Sequence, residues 1–417
     1  MTISSSRRKR VVIVGCGFAG FSAAQEFGRR YVPRWADVIV IDQSDHQLFT
    51  PLLYEAATGA ILTQRLRYPI RPDLKRLGIE FRQARVEGVD PAAQTLSLSD
   101  GELGYDFLII GCGSHTNFFN RPDFEANTLP LKTADDADRL RLHIEDCIAM
   151  AARARDDAER LRLLTFAIVG AGPTGVELAG SLHQALIARL LPPTSRNPAS
   201  FRVLLIEARP AILPGVPEPL ARAAAAELAA SGITVWTESP VDGAAPDGLV
   251  IGGRGSVPAG TVVWTAGVQA ACLSGLPVEG RGGGGRFRVE STLSLPAAPN
   301  IFLIGDMGAA PWNDRPVPNN APGAIQQGKA AARNVTRRML DLAPVPFRYE
   351  YPGDLLALGY HNAVAYVGGR LVTGYPAWLL RRGVYLTNIL GAKNRIGLAG
   401  DWLRDEFAGR ERTRDRV

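Results

Sequence analysis

The chain has 417 residues, 46% of them hydrophobic, and its 47 basic and 41 acidic residues leave a formal net charge of +6. That length allows two or three domains with a sizeable core, and so slight a charge without a basic stripe excludes a nucleic-acid-binding protein. Five scattered histidines and four cysteines (Cys16, Cys112, Cys147, Cys272) with no CxxC pair exclude a metal centre and a disulfide framework.

Arg7-Arg8-Lys9-Arg10 followed by an apolar run imitates a signal peptide. The same residues carry a glycine turn that cleavage would destroy, so they read as the first strand of a cytoplasmic protein. Residues 11–14 (Val-Val-Ile-Val) are β-branched and apolar, as a strand buried on both faces of a parallel sheet requires. Gly15-Cys16-Gly17-Phe18-Ala19-Gly20 follows, opening a helix over residues 18–27. Gly15 permits the tight turn, Gly17 admits a pyrophosphate to the backbone, and Gly20 lets the helix pack on the sheet. A second strand over 38–41 ends in Asp42, placed to accept hydrogen bonds from an adenosine ribose.

Residues 48–59 are apolar and aromatic but too irregular for a plain helix. Strands are predicted over 79–86 and 94–98, with a hairpin turn at Asp100-Gly101. A buried strand over 106–110 then ends in Gly111-Cys112-Gly113-Ser114, small enough for the backbone to pass close to a cofactor. A long helix is predicted over 134–161.

The second glycine turn, Gly170-Ala171-Gly172-Pro173-Thr174-Gly175, follows the apolar run 166–169. A helix over 176–191, a proline-rich loop over 192–198 and a strand over 201–206 lead to Glu207. A carboxylate there accepts from a free ribose 2′-hydroxyl and repels a 2′-phosphate, favouring NADH over NADPH, with Arg209 nearby to temper the preference. The unit closes with a strand from residue 261 into Ala266 and Gly267. A single GxGxxG is weak; two in the same context imply two bound dinucleotides, hence a flavoprotein that also binds a nicotinamide cofactor.

Residues 275–286 are glycine-rich and read as a loop. The strand 300–304 ends in Gly305-Asp306, an acid suited to a flavin ribityl chain. Asn320 reads as an N-cap and Pro322 as a first-turn residue of a helix running toward Asn334. Its positive end would stabilise a reduced, anionic flavin if it points there; otherwise Gln326 and Gln327 belong to an ordinary solvated face. Residues 375–390 place Trp378, Leu379, Tyr385, Leu386, Ile389 and Leu390 at helical spacing, with Arg381 and Arg382 at the polar boundary, and Trp402, Leu403 and Phe407 follow. Residues 381–417 hold nine basic and five acidic residues, about +4 of the net charge. Such helices suit an anionic lipid surface; the alternative is packing on the protein's own core or on a second copy in a homodimer. No stretch approaches the roughly 18 to 20 apolar residues of a membrane span.

Taken together, both glycine turns, Phe49-Thr50-Pro51-Leu52-Leu53-Tyr54, residues 105–114 with Thr116-Asn117-Phe118-Phe119, Val176-Glu177, Trp264-Thr265-Ala266-Gly267-Val268, Gly305-Asp306 and Ala324-Ile325-Gln326-Gln327-Gly328 resemble the type II NADH:quinone oxidoreductases. The resemblance covers nearly the whole chain. It implies an α/β fold of two Rossmann-like domains with a C-terminal membrane-associating segment, and an enzyme that passes hydride from NADH to FAD and electrons to a membrane quinone without proton pumping. It implies FAD at Gly15, Gly17, Phe18, Ala19, Gly20, Asp42, Gly113, Asp306 and Ala324, and NADH at Gly170, Gly172, Pro173, Thr174, Gly175, Glu207, Ala266 and Gly267. Glu177 resembles the acid near nicotinamide and flavin, and Gln326 and Gln327 the pair at the quinone edge. Pro322 departs from the pattern, standing where many members carry a glutamine of the quinone pocket. The expected domains are 1–125 with 268–345 for FAD, 126–267 for NADH and 346–417 as the segment that holds the enzyme peripherally on the cytoplasmic face of the cell membrane. The alternatives are a flavoprotein reductase using a ferredoxin-like acceptor, sulfide:quinone-type chemistry, for which no cysteine pair is suitably placed, and a nicotinamide-sensing protein acting through protein interactions.

Overall fold

The computed structural model describes residues 7–192, 198–277 and 280–414, without the side chains of 198 and 406–414. Most of the proline-rich loop, residues 278–279 of the glycine-rich stretch and the Phe407 side chain lie outside the described residues. Two compact units form. One comprises Met1–Gln47, Pro69–His115 and Val268–Tyr351, the other Leu48–Tyr68, Thr116–Gly267 and Pro352–Val417.

The first unit is built on a parallel five-stranded sheet in the order Ile301–Leu303, Phe107–Ile110, Arg10–Val14, Asp37–Asp42, Glu80–Gln83. Val11, Val12, Ile13, Ile109 and Ile110 are fully buried, which a parallel sheet covered on both faces demands. Val14 pairs with Ile41 and with Ile110, so three strands end level. The chain order reverses across the central strand, and ligands of open α/β sheets bind at that carboxyl-end switch point. Helix Phe18–Arg29 packs on helix Ala321–Met339. The contact is close enough that a Cβ on Gly328 would overlap the Ala19 carbonyl oxygen. Asn320 caps the second helix, accepting the Gly323 N–H at 2.8 Å.

The strand predicted over 79–86 breaks in two. Ala84 N–H still bonds to Asp42 O, whereas the Arg85 carbonyl accepts from Ser99 N–H, so the chain passes from the parallel sheet to an antiparallel ribbon, Val86–Asp90, Thr95–Leu98 and Gly101–Gly104.

The second unit repeats the design with a parallel sheet in the order Leu129–Pro130, Thr261–Trp264, Thr165–Val169, Arg202–Ile206, Thr234–Trp236. Its core includes Trp264 against Phe124, ring centroids 4.5 Å apart. The helix predicted over 134–161 is two, Ala134–Ala151 and Asp157–Leu163. Asp156 accepts the Glu159 N–H and starts a new helix instead of continuing the old one, the usual competition of an aspartate with the backbone. The next predicted helix is α-helical over Pro173–Ala185 and then closes with a π turn, Leu186–Leu190.

Residues 352–414 belong to this second unit. An antiparallel sheet, Asp354–Gly359, Asn362–Val367 and Arg370–Thr373, leads into helices Gly374–Asn388 and Ala392–Arg414. Ala377 and Trp378 bury against Ala363 and Ala365. Trp378, Ile389 and Trp402 are buried and Arg381 is 2% exposed, so the sequence reading of these side chains as an interfacial face is corrected. Among the described side chains of these two helices, the large apolar ones that face outward are Tyr375, Leu379, Leu380, Ile396 and Leu403. Among the described residues no helix is long and apolar enough to cross a membrane.

Strand Asp354–Gly359 approaches helix Pro173–Ala185 through Gly180, where an added Cβ would lie 2.5 Å from the Leu358 carbonyl oxygen. Gly180→Ala is therefore expected to cost about 1–3 kcal/mol by overpacking, despite alanine's better helix propensity. Urea unfolding of the two proteins measures this, and an unchanged or higher midpoint contradicts it.

Candidate functional site

In the first unit the strand ends converge on the glycine turn. Gly15 adopts φ +87°, and its Cβ position lies 2.5 Å from the Gly111 carbonyl oxygen, so no side chain is tolerated there. A Cβ on Gly20 would overlap the Gly15 carbonyl oxygen, whereas one on Gly17 meets nothing within 4 Å. Two glycines are thus required by packing, and the third leaves the backbone open to approach. Ala19, Gly305 and Ala324 meet nearby, the Gly305 Cβ position being 3.3 and 3.7 Å from the two alanine Cβ atoms. Gly113 leaves open space, and Ser114 Oγ donates to Asp306 Oδ2 at 2.5 Å. Phe18 heads the helix.

Asp42 also works on its own chain. Its Oδ2 accepts the Cys16 N–H at 2.5 Å and its Oδ1 the Ser44 N–H at 2.8 Å. Burial pushes the carboxyl up, against the pull of these N–H groups. A carboxylate has about four acceptor positions, so it keeps capacity for ribose hydroxyls while clamping the turn.

The second unit repeats this arrangement. Gly170 adopts φ +99° with its Cβ position 2.5 Å from Ala266 Cα, a Cβ on Gly175 would overlap the Gly170 carbonyl oxygen, and Gly172 is open. Glu207 Oε2 accepts the Ala171 N–H at 2.9 Å, and Oε1 accepts the Arg209 N–H at 3.0 Å. Pro173 begins the helix and Thr174 is exposed on its first turn. The Gly267 carbonyl accepts the Asn117 N–H, and Trp264 Nε1 donates back to Asn117 O.

The two glutamines separate. Gln327 is buried and its Oε1 accepts the Gly305 N–H at 2.9 Å, so it shapes the turn that presents Asp306. Gln326 pairs with the main chain of Glu350 through both amide atoms, at 2.8 and 2.9 Å. Both belong to the first unit, whereas Glu177 belongs to the second.

Glu177 lies on the buried side of helix Pro173–Ala185. Its Oε1 accepts from Arg381 Nη2 at 3.0 Å, from Arg381 Nε at 3.2 Å and from the Ala357 N–H at 3.2 Å. Arg381 Nη1 reaches Glu55 Oε1 at 3.3 Å, and Glu55 also accepts from Tyr54 Oη at 2.9 Å and Trp402 Nε1 at 2.7 Å. The guanidinium sits 4.1 Å from the Tyr385 ring centroid. Burial pushes the Glu177 carboxyl up to about 7, while Arg381 and the Ala357 N–H pull it down and Glu55 raises it further. Burial opposes the charge on Arg381, but Tyr54, Tyr385 and the two acids hold it protonated. This is a carboxyl raised by burial and held beside a fixed cation, shielded from bulk water.

Sequence reasoning singled out Glu177 but did not place Glu55, Arg381 and Trp402 beside it. The available signal was an acid directly after Tyr54 in an otherwise apolar segment, and an arginine within the apolar spacing of residues 375–390.

The family model for pyridine nucleotide-disulphide oxidoreductases matches residues 9–328, and with the duplicated turn it defines the class. Two type II NADH:quinone oxidoreductases of Mycobacterium tuberculosis, NdhA and Ndh, are 35% and 33% identical over 99% and 96% of this chain and 91% and 89% of theirs. A Staphylococcus aureus type II NADH:quinone oxidoreductase is 28% identical over 94% of this chain and 98% of its own. The chain belongs to the type II NADH:quinone oxidoreductase family and is an enzyme. NDH2 from Plasmodium falciparum, solved in complex with NADH, shares the fold with a TM-score of 0.86 at 19% identity, over 97% of this chain and 99% of that one. The sulfide:quinone oxidoreductase of Aquifex aeolicus shares it with a TM-score of 0.74 at 21% identity, over 93% and 92%.

A carboxyl raised from 4.5 to about 7 in the folded protein makes stability depend on pH. Between those values the native state holds a proton that the unfolded chain releases, so Glu177's contribution is complete below the lower value and is lost as pH rises through the higher one. Relative to Glu177→Gln, the native protein should lose about 3 kcal/mol of unfolding free energy across this window. Denaturant titrations of both proteins at several pH values measure the difference, and one that does not change with pH contradicts the assignment.

Proposed function

We propose that this enzyme passes hydride from NADH to FAD held by the first unit, and that electrons leave for a membrane quinone with no proton translocation through the chain. The observation that carries the reading is the duplicated glycine turn, each copy closed by a strand-end acid bonded to the turn's own second residue, Cys16 with Asp42 and Ala171 with Glu207. The open Cβ positions at Gly17 and Gly172 fit a pyrophosphate at each turn, and both carboxylates retain acceptor positions for ribose hydroxyls. The family match supports a flavin in the first site and NADH in the second. Glu207 favours NADH, since a 2′-phosphate would meet its charge.

A bound flavin supplies the hydride acceptor and the electron donor; the chain supplies position and electrostatics. Asp42 and Gly17 would hold the phosphate and ribose end of such a cofactor and Asp306 would accept from its side chain, while Gln327 holds the Gly305-Asp306 turn in place. Helix Ala321–Met339, capped by Asn320 and with Pro322 in its first turn, has a start that would favour an anion through the helix dipole. Glu177 tunes the encounter of nicotinamide and flavin or takes up and gives back a proton at its carboxyl oxygen as electrons move on. Gln326 holds the main chain of Glu350, and through it would help shape the quinone edge.

Flavin-replete protein should oxidise NADH with a soluble benzoquinone or naphthoquinone analogue as acceptor, and faster than with oxygen or a small iron-sulfur protein. No turnover with any quinone sinks the reading.

The outward Leu379, Leu380, Ile396 and Leu403, on helices that begin a segment of about +4 charge, support peripheral attachment to anionic lipid at the cytoplasmic face. Replacing these four leucine and isoleucine side chains by aspartate should abolish co-flotation with vesicles containing phosphatidylglycerol. Retained flotation assigns these side chains to contacts other than lipid, a second copy of the chain among them, and refutes their part in membrane attachment; absence of flotation by the unaltered protein refutes the attachment itself.

A further inference from the structure

Arg381 lies between two buried acids and serves both, with Nη2 3.0 Å from Glu177 Oε1 and Nη1 3.3 Å from Glu55 Oε1. A cation shared in this way divides its hold according to how well each acid is satisfied elsewhere. Glu177 has one other donor among the contacts described, the Ala357 N–H. Glu55 has two, and they come from different places: Tyr54 Oη beside it and Trp402 Nε1 from the last helix.

We propose that Glu55 and Trp402 are positioning residues for Glu177: Trp402 satisfies Glu55, which frees Arg381 to lean on Glu177. The inference rests on the reading of Glu177 as the site carboxyl. The seat of the last helix explains why Trp402 is dependable in this role. Its neighbour Asp401 accepts from Arg65 Nε at 3.1 Å, and farther along Arg189 bonds to Asp405, so the indole is held on both sides in sequence. Arg382 lies over the Trp402 and Trp378 rings, at 4.7 and 3.7 Å from their centroids. Among the described residues, the charged and titratable groups facing Glu177 are Arg381, Glu55, Tyr54 and Tyr385, with Asp405 and Arg382 behind Glu55. Hydrophobic packing alone would be met by phenylalanine at 402 and by a neutral amide at 55. The chain instead places an N–H donor on a carboxylate at 2.7 Å, within the low-dielectric interior where such a bond is strong.

The consequence is a pair of shifts of opposite sign. Glu55→Gln removes the competing negative charge, leaves Arg381 to Glu177 and lowers the proton affinity of Glu177 by about one pH unit or more. Trp402→Phe strips Glu55 of its best donor, draws Arg381 toward Glu55 and raises the proton affinity of Glu177. Tyr54→Phe, a smaller change on the same acid, shifts it in the same upward direction and serves if Trp402→Phe does not fold.

The test is a pH titration of the buried carboxyl by infrared difference spectroscopy on the flavin-replete protein, with Glu177→Gln identifying the band. The expected midpoint is about 7 in the native protein, lower in Glu55→Gln and higher in Trp402→Phe or Tyr54→Phe. Unmoved midpoints overturn the proposal. So do shifts of one sign in all variants, which general loosening of the interior would produce. The pH profile of quinone reduction in Glu177→Gln reads the parent assignment separately: shifted infrared midpoints with an unaltered activity profile uphold the positioning and reject Glu177's part in turnover.

Discussion

A guanidinium buried between two carboxylates governs the second unit. Bringing Arg381, Glu177 and Glu55 out of water costs several kcal/mol per charge, and the cost is offset only when nearly every donor and acceptor is used. That condition draws together a helix following the second glycine turn, a short helix at residues 53–57, and the two C-terminal helices. It gives a reason for residues 352–414 to pack within the second unit, and for glycine at position 180, where strand Asp354–Gly359 must come close enough for Ala357 N–H to reach Glu177. The same burial that makes the cluster costly moves Glu177 into the range where protons exchange near neutral pH.

The two glycine turns follow a different logic, one of backbone sterics. In each unit the first glycine faces another strand end, Gly111 in one and Ala266 in the other, and the third faces the first glycine's own carbonyl. The acids Asp42 and Glu207 then bond to the residue between the first two glycines. An acid at this place therefore has a structural duty whatever else it binds: it holds the turn in its open shape. Oxidoreductases of this class rely on such fixed positioning, because the cofactor brings the redox chemistry and the protein contributes distance, orientation and charge.

Much of the fold was legible because it is local. The β-branched runs before each glycine turn, the Asn320 cap and the Asp100-Gly101 turn all became the elements their residues predict. The predictions that changed were those in which a local pattern had two outcomes. Residues 134–161 have a continuous helical pattern, yet Asp156 starts a second helix, and residues 79–86 pass from one sheet to another at Ala84 and Arg85. The aromatic and basic spacing of residues 375–390 was ambiguous in the same way, since Trp378 and Arg381 on a helix fit an interface and a buried ion cluster equally well.

By itself the sequence determined the two glycine turns, their acids and the family, because steric exclusion at a turn and burial on both faces of a strand act over a few residues and leave a pattern in them. Only the tertiary structure decided that Arg381 turns inward, that Gln327 holds Gly305 while Gln326 holds Glu350, and that Glu177 shares its cation with Glu55. The physical reason is that a charge can be buried only where its partners arrive, and here they arrive from positions 55, 177, 381 and 402, too far apart along the chain for any local pattern to record.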